Sequence, residues 1–220
     1  MIRLEKVSKI YRTKRGHVRA LDKISLNIKE GEFLAVRGPS GSGKTTLLFS
    51  IGGMLCPTEG NVIVSNRNIY AISKSQRAKF RAGNIGFIFQ MFHLVPYLNT
   101  VENVLLAAGI GTKSFGPEDA KSLLNRLKMS DRLYHRPSEL SAGERQRTAM
   151  ARAMLKRPGI ILADEPTGNL DPENVEEILR HLVEYNQNGG TVILVSHRKE
   201  VDNYASHMIY MQDGHIQEYE

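Results

Sequence analysis

The segment from Phe33 to Thr45 restricts this chain more than any other. Phe33-Leu34-Ala35-Val36 is a short unbroken apolar run, and Gly38-Pro39-Ser40-Gly41-Ser42-Gly43-Lys44-Thr45 follows it, with Thr46-Leu47-Leu48 beyond. The apolar run fits a buried strand, and the residues after Lys44 fit the start of a helix. Strand, glycine-rich loop and helix in this order complete the pattern G-x-x-x-x-G-K-[ST]. Glycines let backbone N–H groups turn inward and approach phosphate oxygens with no Cβ in the way. The helix start adds its partial positive charge. Lys44 is placed to reach the β- and γ-phosphates, and the Thr45 hydroxyl to ligate Mg²⁺. A nucleoside triphosphate site is therefore expected from Gly38, Pro39, Ser40, Gly41, Ser42, Gly43, Lys44, Thr45 and Thr46.

The remaining pattern extends an α/β layout. Residues 1–28 alternate apolar and polar in places, as at Leu21, Ile24, Leu26 and Ile28, which predicts a small antiparallel sheet. Pro57-Thr58-Glu59-Gly60 reads as a turn before a strand at Asn61-Val62-Ile63-Val64, Ser73 to Ala82 as a helix, and Ile85 to Phe89 as a strand. From about residue 91 to 157 the pattern is helical. Thr100 is expected to cap a helix with Val101, Val104, Leu105 and Ala108 on its apolar face. A second helix is expected from Pro117 to Met129, and a third from Ser141 to Arg157-Pro158. Apolar strands return at Ile160–Ala163 and Thr191–Val195, with a helix opened by Asp171-Pro172 between them. Asp213-Gly214 predicts a terminal hairpin. Buried strands alternating with helices argue a mostly parallel core sheet. The expectation is one domain over residues 1–220, with core and β-subdomain in about 1–90 and 158–220 and an inserted helical subdomain in about 91–157.

Composition sets outer bounds. The single cysteine, Cys56, excludes an internal disulfide and a cysteine-cluster metal site, and reads as a small hydrophobe after the first helix. No apolar run approaches the roughly 18 residues that span a bilayer, and the N-terminal residues lack a signal-peptide layout. A net charge of +7 permits an anionic partner such as nucleotide, acidic lipid or nucleic acid. Arg12, Lys14, Arg15, His17 and Arg19 form a basic run that reads first as a solvated hairpin loop.

A second constellation sits at the end of the Ile160–Ala163 strand. Asp164-Glu165 follow it directly, which places two acids at the carboxyl edge of the sheet, where α/β folds bind ligands. Asp164 is a candidate for holding Mg²⁺, and Glu165 for general base toward the attacking water.

Leu140-Ser141-Ala142-Gly143-Glu144, just before this strand, resembles the signature motif LSGGQ of the ATP-binding cassette (ABC) ATPases. The resemblance covers the whole chain. Gln90 matches the glutamine of the family's Q-loop, Asn169-Leu170-Asp171 its D-loop, His197 its switch histidine and Tyr11 its adenine-stacking aromatic. Ala163–Asp171 and Leu94–Val104 look like the branch of lipoprotein-releasing, macrolide-export and cell-division ATPases. The resemblance implies a P-loop ABC cassette that binds ATP and Mg²⁺, with two copies packed head to tail. Glu165, His197, Gln90 and Lys44 would be catalytic, and Thr45, Gln90 and Asp164 would hold the metal. Tyr11, the phosphate loop, Asp171 and Ser141, Ala142, Gly143 and Glu144 would contact nucleotide, the last four in the other copy. Ala142 and Glu144 depart from the common signature. Glu144 suits a helix start but opposes a nearby phosphate, and Arg145 and Arg147 are the expected offset.

The resemblance further implies a homodimer in the ATP-bound state and a separate transmembrane permease docking near residues 91–104, which would hold the chain peripherally on the cytoplasmic face of the inner membrane. Met91–Leu98 is apolar enough for that groove or for core packing. An importer subunit and a soluble ATPase acting on nucleic acid remain alternatives. The absence of coiled-coil heptads argues against the latter, so no nucleic acid is expected.

Overall fold

The computed structural model describes residues 1–14, 16–109 and 115–218, the last of them by its backbone alone; Arg15 of the basic run lies outside this set. Strands β1 (Ile2–Thr13) and β2 (Gly16–Ile28) form a long antiparallel hairpin. After β3 (Phe33–Arg37) and α1 (Lys44–Ile51), strands β4 (Glu59–Val64) and β5 (Arg67–Asn68) complete a four-stranded sheet in the order β2-β1-β4-β5. Then come α2 (Lys74–Asn84), β6 (Ile85–Phe89), α3 (Thr100–Leu105), α4 (Pro117–Arg126), α5 (Ala142–Met154), β7 (Ile160–Asp164), α6 (Pro172–Gln187), β8 (Thr191–Val195), β9 (His207–Gln212) and β10 (His215–Glu218). The second sheet runs β10-β9-β3-β8-β7-β6. It is parallel from β9 to β6, and only β10 is antiparallel. The β9–β10 turn has positive φ at Asp213 and Gly214, the backbone that a tight hairpin requires.

Side-chain alternation divides the core in two. Phe33, Ala35, Ile161, Ala163, Val192 and Leu194 face a cluster built with α3, α4, α5 and α6. Their sequence neighbours Leu34, Val36, Ile160, Leu162, Ile193 and Val195 face the opposite cluster, with Leu47, Leu48 and Ile51 of α1 and the inner face of the antiparallel sheet. A strand buried on both faces must be apolar at every position, which is why these segments read as continuous runs.

Helix ends follow their local chemistry. Ser73 with Gln76, and Ser141 with Glu144, form reciprocal capping boxes, and Asp171 caps α6 by accepting the Asn174 N–H. The cap of α3 is Asn99, not Thr100. Asn99 has Glu102 three residues on, which completes a capping box, whereas Thr100 is buried and its hydroxyl donates to the His135 carbonyl at 3.1 Å. The second expected helix stops at Arg126 rather than Met129. Lys128 takes a left-handed φ of 56°, and the N–H groups of Lys128 and Met129 bond back to the Asn125 and Leu124 carbonyls. The third ends at Met154, with Arg157 left-handed beyond it.

Two further expectations change. Cys56 is exposed rather than packed as a small hydrophobe. The Met91–Leu98 segment is split. Met91 and Tyr97 are 66% and 74% exposed, while Val95 and Leu98 are partly buried and held by Asn103. The Asn103 amide accepts the Val95 N–H at 2.7 Å and donates to the Val95 and Leu98 carbonyls. No described helix is long and apolar enough to cross a membrane.

Gly86 in β6 has no room for a side chain, because an added Cβ would press on the Ala153 carbonyl of α5 and the Ile161 methyl. Gly83 in α2 has open space around it. Gly86→Ala is expected to lower stability by about 1–3 kcal/mol, and Gly83→Ala to raise it by up to about 1 kcal/mol. Urea unfolding midpoints of the two variants check the contrast.

Candidate functional site

Register places the motif residues in one row. Across the parallel sheet Phe89 pairs with Asp164, Asp164 with Val195, Val195 with Val36, and Val36 with Ile209. The next residues along the strands are Gln90, Glu165, Ser196 and Arg37. The phosphate loop, acid pair, Q-loop glutamine and switch histidine therefore all leave the sheet at one level of its carboxyl edge. Such an edge is where α/β sheets bind ligands.

The phosphate loop is packed by what its glycines lack. A methyl at Gly38 would strike the Met211 carbonyl of β9, and one at Gly43 would strike the Ala20 carbonyl of β2. Both glycines also have positive φ, so backbone and packing demand the same residue. Lys44 folds across the loop and donates to the Gly38 and Pro39 carbonyls, each at 2.8 Å. Burial lowers its pKa, and the nearby Glu165 and Asp164 carboxylates oppose that shift. The Ser42 hydroxyl is buried without a protein partner.

Opposite the loop, the Thr45 hydroxyl donates to Asp164 Oδ1 at 3.1 Å. Burial pushes the Asp164 carboxyl up; the Thr45 bond pulls the other way, and the Glu165 charge adds to the rise. Glu165 has left-handed backbone, φ 47°, and its N–H bonds the Val195 carbonyl, so the chain turns sharply as β7 ends. His197 Nδ1 lies 2.9 Å from Glu165 Oε2. The approach lacks hydrogen-bond alignment, and that buried carboxylate oxygen is otherwise unpaired. Two hard oxygen donors at Thr45 and Asp164, beside unpaired buried oxygens, suit Mg²⁺ shared with phosphate. The exposed Gln90 packs its amide against Gly168, in the turn that follows Glu165. Tyr11 is an exposed ring near the tip of the β1–β2 hairpin, with Lys9 Nζ 5.4 Å from its centroid. This is the hairpin whose Ala20 touches the phosphate loop.

The signature segment is placed differently. Ser141 caps α5, and α5 packs in the cluster on the sheet face opposite to α1. Asp171, at the start of α6, lies on the same side as α5. The structure therefore brings Lys44, Thr45, Asp164, Glu165 and His197 together, and sets Ser141, Ala142, Gly143, Glu144 and Asp171 apart as a second group.

Comparison with known proteins matches residues 21–168 to the family of ABC transporters. The chain belongs to this family. It is 43% identical over 220 residues to an uncharacterized ABC transporter ATP-binding protein of Methanocaldococcus jannaschii, MJ1508, spanning 99% of this chain and 98% of that one. It is 40% identical over 217 residues to the macrolide export ATP-binding/permease protein MacB of Bdellovibrio bacteriovorus, spanning 99% of this chain but only 33% of that one. Among solved structures, it matches the ATP-binding cassette MJ0796 in a dimeric post-hydrolysis state bound to ADP and Pi, with a TM-score of 0.94, 37% identity and coverage of 100% of this chain and 98% of that chain. These relatives agree with the branch expected from Leu94–Val104 and Ala163–Asp171. The chain is an ABC ATPase, the ATP-binding cassette of a transporter.

The cassette handles its altered signature in a way the sequence did not show. Glu144 is offset by Arg132, not by Arg145 or Arg147. Arg132 Nε donates to Glu144 Oε1 at 2.8 Å, while Glu144 Oε2 accepts the Ser141 N–H at 2.7 Å. Arg145 lies 5.5 Å from the centre of the Phe92 ring, and Arg147 turns inward to Asn174 and Glu177. Arg132 ends the 3₁₀ turn at Ser130–Arg132, and a partner twelve residues away leaves no periodic signal.

Arg152 of α5 is a second residue that motif reading missed. Its guanidinium donates to the Phe92 and His93 carbonyls at 2.7 and 2.6 Å. Both of those residues have left-handed φ of 49°, so Arg152 holds the segment after Gln90 in a conformation that non-glycine residues rarely adopt.

Burial raises the Glu144 carboxyl, but the Ser141 N–H and the Arg132 guanidinium outweigh it and hold the pKa below the ordinary value. The stabilisation is thus present above the unfolded pKa and is lost as pH falls through the lower folded value. Glu144→Gln keeps an oxygen for the cap and removes the charge pair. Its stability at neutral pH is expected to fall by about 0.5–1 kcal/mol, with the difference closing as pH drops below the ordinary glutamate pKa. Thermal unfolding of both proteins across that pH range checks it.

Proposed function

We propose that this cassette is the ATP-hydrolysing subunit of a membrane complex, in which two copies close head to tail around two ATP molecules and closure drives a separate transmembrane permease. The observation that carries this reading is the separation of the two site groups. The phosphate-loop helix α1 and the signature helix α5 pack on opposite faces of one sheet. A helix start that serves a nucleotide in another copy fits that layout, since its N–H groups suit an anion. Two related facts support it: MJ0796 cassettes have been solved as dimers, and MacB is an ATP-binding/permease protein.

In this reading the loop from Gly38 to Thr46 wraps the triphosphate, Lys44 moves from the Gly38 and Pro39 carbonyls to the β- and γ-phosphate oxygens, and Tyr11 stacks on adenine. Thr45, Asp164 and Gln90 hold Mg²⁺, which neutralises phosphate charge when bound. A water attacks the γ-phosphorus, Glu165 accepts its proton, and ADP leaves. Glu165 Oε2, buried with only the poorly aligned His197 Nδ1 beside it, is the proton-accepting atom, and His197 orients water and γ-phosphate. Ser141, Ala142, Gly143 and Glu144 of the other copy cover the γ-phosphate, with Asp171 at the seam. Loss of that phosphate removes the bridge and favours opening. Residues 91–157 act as a helical unit against the rest of the cassette. The permease docks near residues 91–104 and holds the cassette on the cytoplasmic face of the membrane; exposed Met91 and Tyr97 offer apolar surface there, which supports this reading.

Glu165→Gln tests the reading. ATP binding is expected to persist, hydrolysis to fall by roughly 10²–10⁴-fold, and an ATP-dependent dimer to accumulate in light scattering. Full turnover in this variant rejects Glu165 as the base. A variant that binds ATP yet stays monomeric rejects the shared site.

A further inference from the structure

The start of α6 holds a side chain that touches both parts of the second group, Asp171 and the signature segment at Gly143. Asn174 lies one turn into the helix, half-buried. Its backbone N–H donates to Asp171 Oδ1 at 3.0 Å, and its side-chain Nδ2 donates to Asp171 Oδ2 at 2.7 Å. On the other side, its Oδ1 accepts from Arg147 Nη1 at 2.9 Å. Arg147 belongs to the signature helix, is 9% exposed, and is anchored further by Glu177 Oε2 at 2.7 Å. The same Asn174 amide fills the space above Gly143, where a methyl would collide with it. The signature glycine is thus required by the cassette's own packing, apart from any approach to phosphate.

The amide is chemically specified here. A carboxylate can only accept and a guanidinium can only donate. The group between Asp171 and Arg147 must therefore donate on one side and accept on the other at fixed spacing, and an amide of this length does both. Its orientation follows from its partners, with Nδ2 toward Asp171 and Oδ1 toward Arg147. The two bonds from Asn174 also hold the Asp171 carboxyl below its ordinary pKa. Arg198, just after the switch histidine, donates to the Leu170 carbonyl at 3.1 Å, so the segment before Asp171 is fixed from its other end too.

We infer that Asn174 is a positioning residue for the shared nucleotide site, setting the distance between Asp171 and the Ser141–Glu144 helix start so that both meet the second copy as one rigid edge. The inference rests on the head-to-tail reading above. Asn174 contributes nothing to the nucleotide held by its own phosphate loop, whose helix lies on the other face of the sheet. Its loss must therefore appear in dimer closure and turnover, and not in the binding of ATP by one copy.

Two substitutions separate its contacts. Asn174→Asp keeps the acceptor for Arg147 but sets a second carboxylate against Asp171. Asn174→Ala removes both side-chain bonds and retains the backbone N–H that Asp171 caps. Each is made in the Glu165→Gln protein, with Glu165→Gln alone as reference. The readouts are affinity for a fluorescent ATP analogue at protein concentrations that keep the chains monomeric, and the ATP concentration at which dimers form. Both variants are expected to bind the analogue as the reference does and to need at least about tenfold more ATP to dimerise, a loss in the range that slight misplacement of a site group produces. In the Glu165 background, kcat is expected to fall by a similar factor.

Dimerisation at the reference ATP concentration overturns the inference and leaves the shared site standing. Weakened analogue binding, or loss of the folded state in both variants, marks the amide as a general structural part and overturns it as well. If the Glu165→Gln reference itself fails to dimerise with ATP, the head-to-tail reading falls and takes this inference with it.

Discussion

Each residue of β3, β7 and β8 points to the opposite face from the one before it, and in this chain both faces are buried. The sheet is a wall between two cores, and everything functional is distributed relative to it. The phosphate loop and α1 are committed to one side, the signature helix and the start of α6 to the other. A one-residue slip of any central strand would exchange its whole set of inward side chains between the two cores. Register is therefore fixed by two sets of packing at once. The same register aligns Phe89, Asp164, Val195 and Val36, and so sets Gln90, Glu165, Ser196 and Arg37 at one level. The common level of these motif residues is a consequence of how the sheet is buried.

The glycines of the phosphate loop meet a second demand. Gly38 lies against the Met211 carbonyl and Gly43 against the Ala20 carbonyl, so the loop is seated between the parallel sheet and the long hairpin. A loop that only needed to curl around phosphate would tolerate small residues at some positions. This one is pressed from behind by backbone on both sides. The hairpin that carries Tyr11 is thereby tied to the loop through Ala20. That link gives an aromatic near the hairpin tip a fixed relation to a phosphate site that is distant in sequence.

What was legible in the sequence was local or strictly periodic. The phosphate loop, the Asp164-Glu165 pair after an apolar run, the Ser141 and Asp171 helix starts and the terminal hairpin each declare themselves within a few residues. The two-residue strand β5 has no period to read. Asn99 and Thr100 are both good caps by residue type, and only the spacing to Glu102 decides between them. Proximity in sequence points to Arg145 and Arg147 as partners of Glu144. In the structure those side chains point to Phe92 and into the α5–α6 contact, and Arg132 arrives from a turn that precedes the helix. Arg152 and Asn174 are hidden from motif reading for the same reason. Their significance lies in which carbonyl or carboxylate they reach, and that is a tertiary fact.

The electrostatics of the phosphate side show a site held short of its own satisfaction. Lys44 is buried in a way that disfavours its charge, and Asp164 is buried in a way that disfavours its own. Each is the natural counterion of the other, yet Lys44 spends its hydrogen bonds on two backbone carbonyls and Asp164 takes one from Thr45. The Ser42 hydroxyl has no hydrogen-bond partner, and Glu165 Oε2 has only the poorly aligned approach of His197 Nδ1 at 2.9 Å. An unsatisfied buried polar group costs about 1–3 kcal/mol, so the folded cassette carries this edge at the expense of stability gained in its two cores. A phosphate chain supplies an acceptor for the Ser42 hydroxyl, which the protein leaves unpaired, and charged acceptors for Lys44 in place of its two backbone carbonyls. Signature chemistry on the far face is arranged in the opposite sense. Glu144 is fully occupied by Arg132 and Ser141, so the helix start presents its N–H groups without a free negative charge beside them. One edge holds a buried hydroxyl without an acceptor and the other carries no uncompensated carboxylate, an arrangement that supports the proposed sharing of a nucleotide between two copies.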